Sequence, residues 1–121
     1  MIGVKRRLSD VARIAKGFGM NVIAYDAYCP AEVIEAAGVT AVGNQTELFE
    51  KADIVSLHIP ATPETKQSIN RELVGKMKKG GILINTARKE VIDEAGLVQL
   101  FYGCRVWCTN IKSGAGGILA Q

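Results

Sequence analysis

Apolar residues recur along this chain in two alternating rhythms, short β-branched runs and stretches with helical three- and four-residue spacing. Val11, Ile14, Ala15 and Phe18 place a helix over Ser9–Phe18, which Gly17 or Gly19 can end. Asn21–Tyr25 (NVIAY) is a short buried strand, and Pro30 at a first helical position opens Ala31–Ala37, closed by Gly38. Val39–Val42 is a second strand. Asn44 and Glu47 form a capping box for a helix reaching about Lys51. Asp53–Ile59 (DIVSLHI) is the third strand, stopped by Pro60, and Thr62-Pro63-Glu64-Thr65 is a turn. Asn70 caps a helix predicted through Lys78, with Gly80-Gly81 as its stop. Gly81–Asn85 (GILIN), Asp93–Phe101 and Arg105–Ile111 then read as strand, helix and strand.

Strands separated by short helices imply an α/β fold, a doubly wound parallel sheet covered on both faces. The pattern predicts one domain over residues 1–112 and a loosely specified glycine-rich tail, Ser113–Gln121.

Composition narrows the classes. With 121 residues, 48% hydrophobic and 22% charged, the chain can build one core and lies far from the disordered regime. No apolar run approaches the roughly 18 residues of a membrane span, and Lys5-Arg6-Arg7 leads into an amphipathic stretch, unlike a secretory signal. A cytoplasmic location away from membranes is expected. The net charge of +3 is that of a mixed surface. Lys76, Lys78 and Lys79 suit a helix C-terminus, and neither basic cluster is interleaved with aromatics, so no nucleic-acid surface is expected. Three cysteines without CxxC spacing and a single histidine, His58, argue against a disulfide scaffold or a metal centre.

In doubly wound folds chemistry collects at the carboxyl ends of the strands. Those ends carry Asp26, His58-Ile59-Pro60, Asn85-Thr86-Ala87-Arg88 and Asn110. The segments KADIVSLHIPATPETKQSIN (Lys51–Asn70) and GGILINTARKEVIDEAGL (Gly80–Leu97) closely resemble the D-2-hydroxyacid dehydrogenases. AKGFGMNVIAYDAY (Ala15–Tyr28) matches the same family upstream, and NTARKEVIDE is similar to its phosphoglycerate-type branch. The resemblance covers roughly Ser9–Leu100. It implies a Rossmann-like domain and NAD as cofactor.

The resemblance also implies roles. Asp26 at the end of the second strand of the dinucleotide fold would accept hydrogen bonds from the adenosine ribose and repel a 2′-phosphate, favouring NAD over NADP; the residue alone could equally be a turn residue. Arg88 matches the arginine that binds the substrate carboxylate, a task suited to a planar bidentate donor. Its bland alternative is a surface ion pair with Glu90 or Glu94. His58, Pro60 and Thr86 match positions lining the cofactor cleft, and His58 is not the histidine that moves protons. Asn110 stands where the family usually has an aspartate for the nicotinamide carboxamide.

Departures from the family are as informative. The phosphate-binding G-x-G-x-x-G falls on Gly3-Val4-Lys5-Arg6-Arg7-Leu8, where only Gly3 survives. Lys5 and Leu8 bring side chains where the pyrophosphate and the strand need room. The strand before this motif is expected to be absent, although it is the centre of a sheet ordered 3-2-1-4-5-6. Without it the halves could close directly, giving the flavodoxin-like order 2-1-3-4-5, or a partner could supply the pairing, so a homo-oligomer is expected. The family's catalytic glutamate and histidine would lie beyond this chain, as would the substrate domain. Three readings stay open: an NAD-binding domain that does not turn over 2-hydroxy or 2-oxo acids alone, a non-catalytic binding or oligomerisation module, and a gene fragment without selected function.

Overall fold

A computed structural model describes residues 2–3, 5–101 and 106–109. Six parallel strands and five helices alternate: β1 (Ile2–Gly3), α1 (Lys5–Gly17), β2 (Ile23–Ala24), α2 (Ala31–Ala36), β3 (Thr40–Ala41), α3 (Gln45–Lys51), β4 (Ile54–His58), α4 (Arg71–Gly75), β5 (Ile82–Asn85), α5 (Glu94–Phe101) and β6 (Val106–Thr109), with a short 3-10 turn at Lys89–Val91 before α5. Among the described residues they form a four-stranded sheet, β1-β4-β5-β6, and a two-stranded one, β2-β3. The class is the α/β expected, of the Rossmann type.

Two expectations about the centre of the sheet are corrected. The first strand is not missing: Ile2 pairs with Leu57 and Gly3 with His58. Nor do the halves close in the order 2-1-3-4-5, because β1 occupies the place beside β4 that β2 would have taken. A β-branched residue and a glycine can both run extended before the helix begins at Lys5. Their backbone groups give the end of β4 hydrogen-bonding partners it would otherwise lack.

Local chemistry explains most boundaries. Asn44 accepts from the Glu47 amide at 2.8 Å, and Glu47 reaches back to the Gly43 amide at 3.0 Å, one residue earlier than the capping box requires. Asn70 accepts from the Leu73 amide at 3.0 Å and opens α4. That helix ends at Gly75 rather than at Lys78: the Lys76 amide already bonds in a tighter turn to Leu73, and Met77 turns into the core. Lys78 instead reaches Asp53, at 3.1 Å. Pro30 sits one position earlier than expected, as the residue flanking α2. Gly38 takes the left-handed φ of +76° that ends α2.

Packing divides unevenly. A large core around β4 and β5 contains Leu48 and Phe49 from α3, Val55 and Leu57 from β4, Leu73 and Val74 from α4, and Leu97 from α5. A small one, Ala12, Ala24, Ile34 and Val39, packs α1 and α2 against β2 and the start of β3. Ile23, Tyr25 and Val42 pack against the large core and join the two. Among the described residues no helix is long and apolar enough to cross a membrane.

Candidate functional site

Because all pairings are parallel, the strands of the larger sheet end on one edge, and their register shows what meets there. Ile2, Leu57, Asn85 and Thr109 share one rung. One residue further, Gly3 pairs with His58, and Thr86 follows Asn85 along β5. The structure thus brings Gly3, His58 and Thr86 together at neighbouring strand ends. Asn110, next after Thr109, lies outside the described residues, as does the tail 113–121.

Asp26 follows Tyr25 directly after β2, in the other sheet. Tyr25 and Ile59 both pack against the large core, and the chain leaves that core at Asp26 in one segment and at Pro60 in the other. Asp26 Oδ1 accepts from the Tyr28 amide at 2.9 Å, so the turn role is real. It does not exhaust the side chain, since a carboxylate offers about four lone-pair sites.

His58 is half-buried, with Nε2 2.9 Å from Ser56 Oγ, two residues earlier on the same face of β4. Beyond it the chain turns sharply. Thr65 Oγ1 donates to the Pro60 carbonyl at 2.6 Å and accepts from the Thr62 amide at 2.7 Å. Pro60 is thereby exposed on a tied loop.

The loop after β5 carries Thr86 and Arg88, both exposed. Among the described residues Arg88 makes no ion pair, so the bridge to Glu90 or Glu94 that would explain it as a surface residue does not form. The loop is shaped by Asn85, whose side chain is buried. Its Oδ1 accepts from the Ala87 amide at 3.0 Å and its Nδ2 donates to the Arg88 carbonyl at 3.0 Å. Sequence reasoning assigned Asn85 no role, although an asparagine ending an apolar strand two residues before a loop amide is an Asx-turn signal. It also missed the link between the two loops. The Gln67 amide donates to Glu90 O at 2.8 Å, Ile69 N to Val91 O at 3.0 Å, and Asp93 N to Ile69 O at 3.0 Å. Gln67 takes a left-handed φ of 52° to make this turn.

Among the described residues no group of three or more His, Cys, Asp or Glu side chains gathers as metal ligands. The arrangement fits a dinucleotide at three strand ends: a half-exposed carboxylate after β2, a tied proline loop after β4, and an exposed hydroxyl and guanidinium after β5. At the fourth the fit is poorer, because α1 begins at Lys5, directly behind β1, where the dinucleotide motif places its second glycine.

Comparison with known proteins identifies the family. The family model for the D-isomer specific 2-hydroxyacid dehydrogenase NAD binding domain matches residues 1–103. A D-3-phosphoglycerate dehydrogenase from Methanocaldococcus jannaschii is 46% identical over 99 residues, covering 82% of this chain and 19% of the relative. A hydroxypyruvate reductase from Thermotoga maritima is 40% identical over 111 residues, covering 92% of this chain and 35% of the relative. The crystal structure of an NAD+-bound 3-phosphoglycerate dehydrogenase from Entamoeba histolytica superposes with a TM-score of 0.81 at 37% identity, over 91% of this chain and 35% of that one. The chain therefore spans between a fifth and about a third of the length of these relatives. It belongs to the D-isomer-specific 2-hydroxyacid dehydrogenases and carries their NAD-binding domain.

Proposed function

We propose that this chain binds NAD(H) along the carboxyl edge of its sheet and offers Arg88 to the carboxylate of a 2-hydroxy or 2-oxo acid, without completing the reaction by itself. The observation that carries this reading is the shared register of Gly3, His58 and the Thr86 loop, with Arg88 exposed and free of acidic partners among the described residues. Asp26 would hold the adenosine ribose, and Pro60, His58 and Thr86 would line the cleft. Arg88 would fix the acid by two parallel hydrogen bonds and polarise its keto oxygen. Bound nicotinamide supplies the hydride. Ketone reduction also needs a positioned proton donor. His58, hydrogen-bonded to Ser56, is assigned to the cleft wall and not to that task. Phosphoglycerate-type acids are the proposed substrate class, on the likeness of the NTARKEVIDE segment to that branch.

The test is an NADH titration of the purified chain, following energy transfer from Trp107, its single tryptophan, and checked by calorimetry. Saturable binding is expected. Asp26→Ala should weaken it roughly ten- to a hundredfold, the worth of hydrogen bonds to a charged group. Asp26→Asn keeps an acceptor for the Tyr28 amide, so it separates the turn from the charge. It should lose NADH affinity while narrowing the preference over NADPH. Silence by both methods would overturn the reading.

One observation favours a second reading, a non-catalytic module that has lost the cofactor. Helix α1 starts at Lys5 with three consecutive basic residues in place of the glycine loop. Silence toward NADH together with concentration-dependent self-association would select it.

A further inference from the structure

Among the described residues Asn85 is the one buried polar side chain, 1% exposed at the end of β5. It spends both ends of its amide on the three residues that follow, accepting from Ala87 N and donating to Arg88 O. Folding alone does not require this. The loop lies at the surface, with Ala87 half-exposed and Arg88 exposed, so water could serve both backbone groups, and an apolar side chain of similar volume could fill the position. What the amide does supply is a fixed peptide plane at Arg88.

The backbone at Arg88 is extended, with φ −122° and ψ 142°, and its carbonyl has only a long 3.4 Å bond from Val91 N besides the one from Asn85. Downstream, the Glu90 and Val91 carbonyls are held by the amides of Gln67 and Ile69. Arg88 is therefore pinned by a side chain on one flank and by a second loop on the other. A long cation held at its root loses less freedom when it captures an anion.

We infer that Asn85 is a positioning residue for Arg88: its buried amide fixes the loop from which the guanidinium meets a substrate carboxylate. This rests on the reading under which Arg88 receives that carboxylate. It adds that recognition depends on a residue the acid never touches.

The experiment uses the full chain with nitrogen-15-labelled arginine and oxalate as the probe, in wild type, Asn85→Leu and Asn85→Asp. The leucine removes both hydrogen bonds, whereas the aspartate keeps the acceptor for Ala87 and loses the donor to Arg88. Oxalate should shift the Arg88 Nε–H signal in wild type. Both variants should bind it roughly three- to tenfold more weakly, the scale of one net hydrogen bond. Ala87 amide exchange should stay slow in Asn85→Asp and quicken in Asn85→Leu. Thermal melting of the leucine variant should follow wild type within a few degrees, which separates positioning from folding. Equal oxalate affinity in wild type and Asn85→Leu would overturn the inference. If oxalate leaves the wild-type signal unmoved, the carboxylate reading fails on its own. The inference is then decided by Arg88 side-chain order without ligand: order lost in both variants supports it, and equal order in all three chains overturns it.

Discussion

The two sheets of this domain share parallel pairing and differ in how firmly they are built. Among the described residues, thirteen buried ones lie around β4 and β5, including Phe49, Leu48, Leu57 and Ile69 with no exposed surface. Of the described residues four lie around β2 and β3, two of them alanines, and each of those strands has only two residues. Large apolar side chains remain exposed on that side: Ile14 on α1, Phe18 in the turn after it, Val33 on α2, and Tyr28 between β2 and α2. The larger half carries Pro60, Thr86 and Arg88, the smaller one Asp26. Arg88, proposed for the acid, thus stands with the cleft-lining Pro60 and Thr86 on the heavily packed half, and Asp26, proposed for the ribose, on the lightly packed one.

Core truncations should expose this difference most strongly. Phe49→Ala is expected to cost about 3–5 kcal/mol, because the large core surrounds the ring on all sides. Ile34→Ala should cost about 2 kcal/mol, the low end of its class, because its four-residue cluster can collapse around the gap. Urea denaturation measures both. Ile34→Ala should also weaken NADH more than oxalate, since it loosens the half that bears Asp26. Equal costs, or equal effects on the two ligands, would break the comparison.

A gentler change sharpens it within the rigid half. Gln67 holds a left-handed backbone so that its amide can reach Glu90. That conformation costs a residue with a side chain about 1–2 kcal/mol. Glycine removes the strain but returns about 0.5–1 kcal/mol through the freedom of the unfolded chain. Gln67→Gly should therefore be neutral or stabilise by up to about 1.5 kcal/mol. A loss of stability would mean that the glutamine side chain contributes contacts exceeding the strain.

The rigid half was also the more legible one. Strands β4 and β5 announce themselves as apolar runs bounded by Pro60 and Gly81, and the caps at Asn44 and Asn70 are local signals read directly from residue type. Asp26, Pro60, Thr86 and Arg88 stand as candidates because family motifs surround them. Three features escaped. A two-residue β1 has no periodicity to detect, so its place beside β4 depends on a tertiary pairing that sequence pattern does not encode. The end of α4 at Gly75 reflects Met77 turning into the core, which propensity alone does not anticipate. The bond between the Gln67 and Glu90 loops joins backbone groups 23 positions apart and leaves no mark on side-chain type.

The smallest expected effect tests whether surface charge adds to the solidity of the larger half. The Glu47 carboxylate is held below its ordinary pKa of 4.5, first by the hydrogen bond from Lys51 one helical turn later and then by the Gly43 amide. A carboxyl whose folded pKa is depressed stabilises the fold above its unfolded pKa, and that contribution fades as pH falls through the lower folded value. Glu47→Gln should thus be slightly less stable than wild type at neutral pH and indistinguishable from it in strong acid. Because the Glu47–Lys51 pair lies at the surface, salt at about 1 M, where the screening length is roughly 3 Å, should erase most of the neutral-pH difference. Denaturation midpoints for the two proteins at pH 7 and pH 3, in low and high salt, measure this directly. A difference that survives both acid and salt would mean that Glu47 acts through packing of its stem at the start of α3. The firmness of this half would then owe nothing to its surface charges.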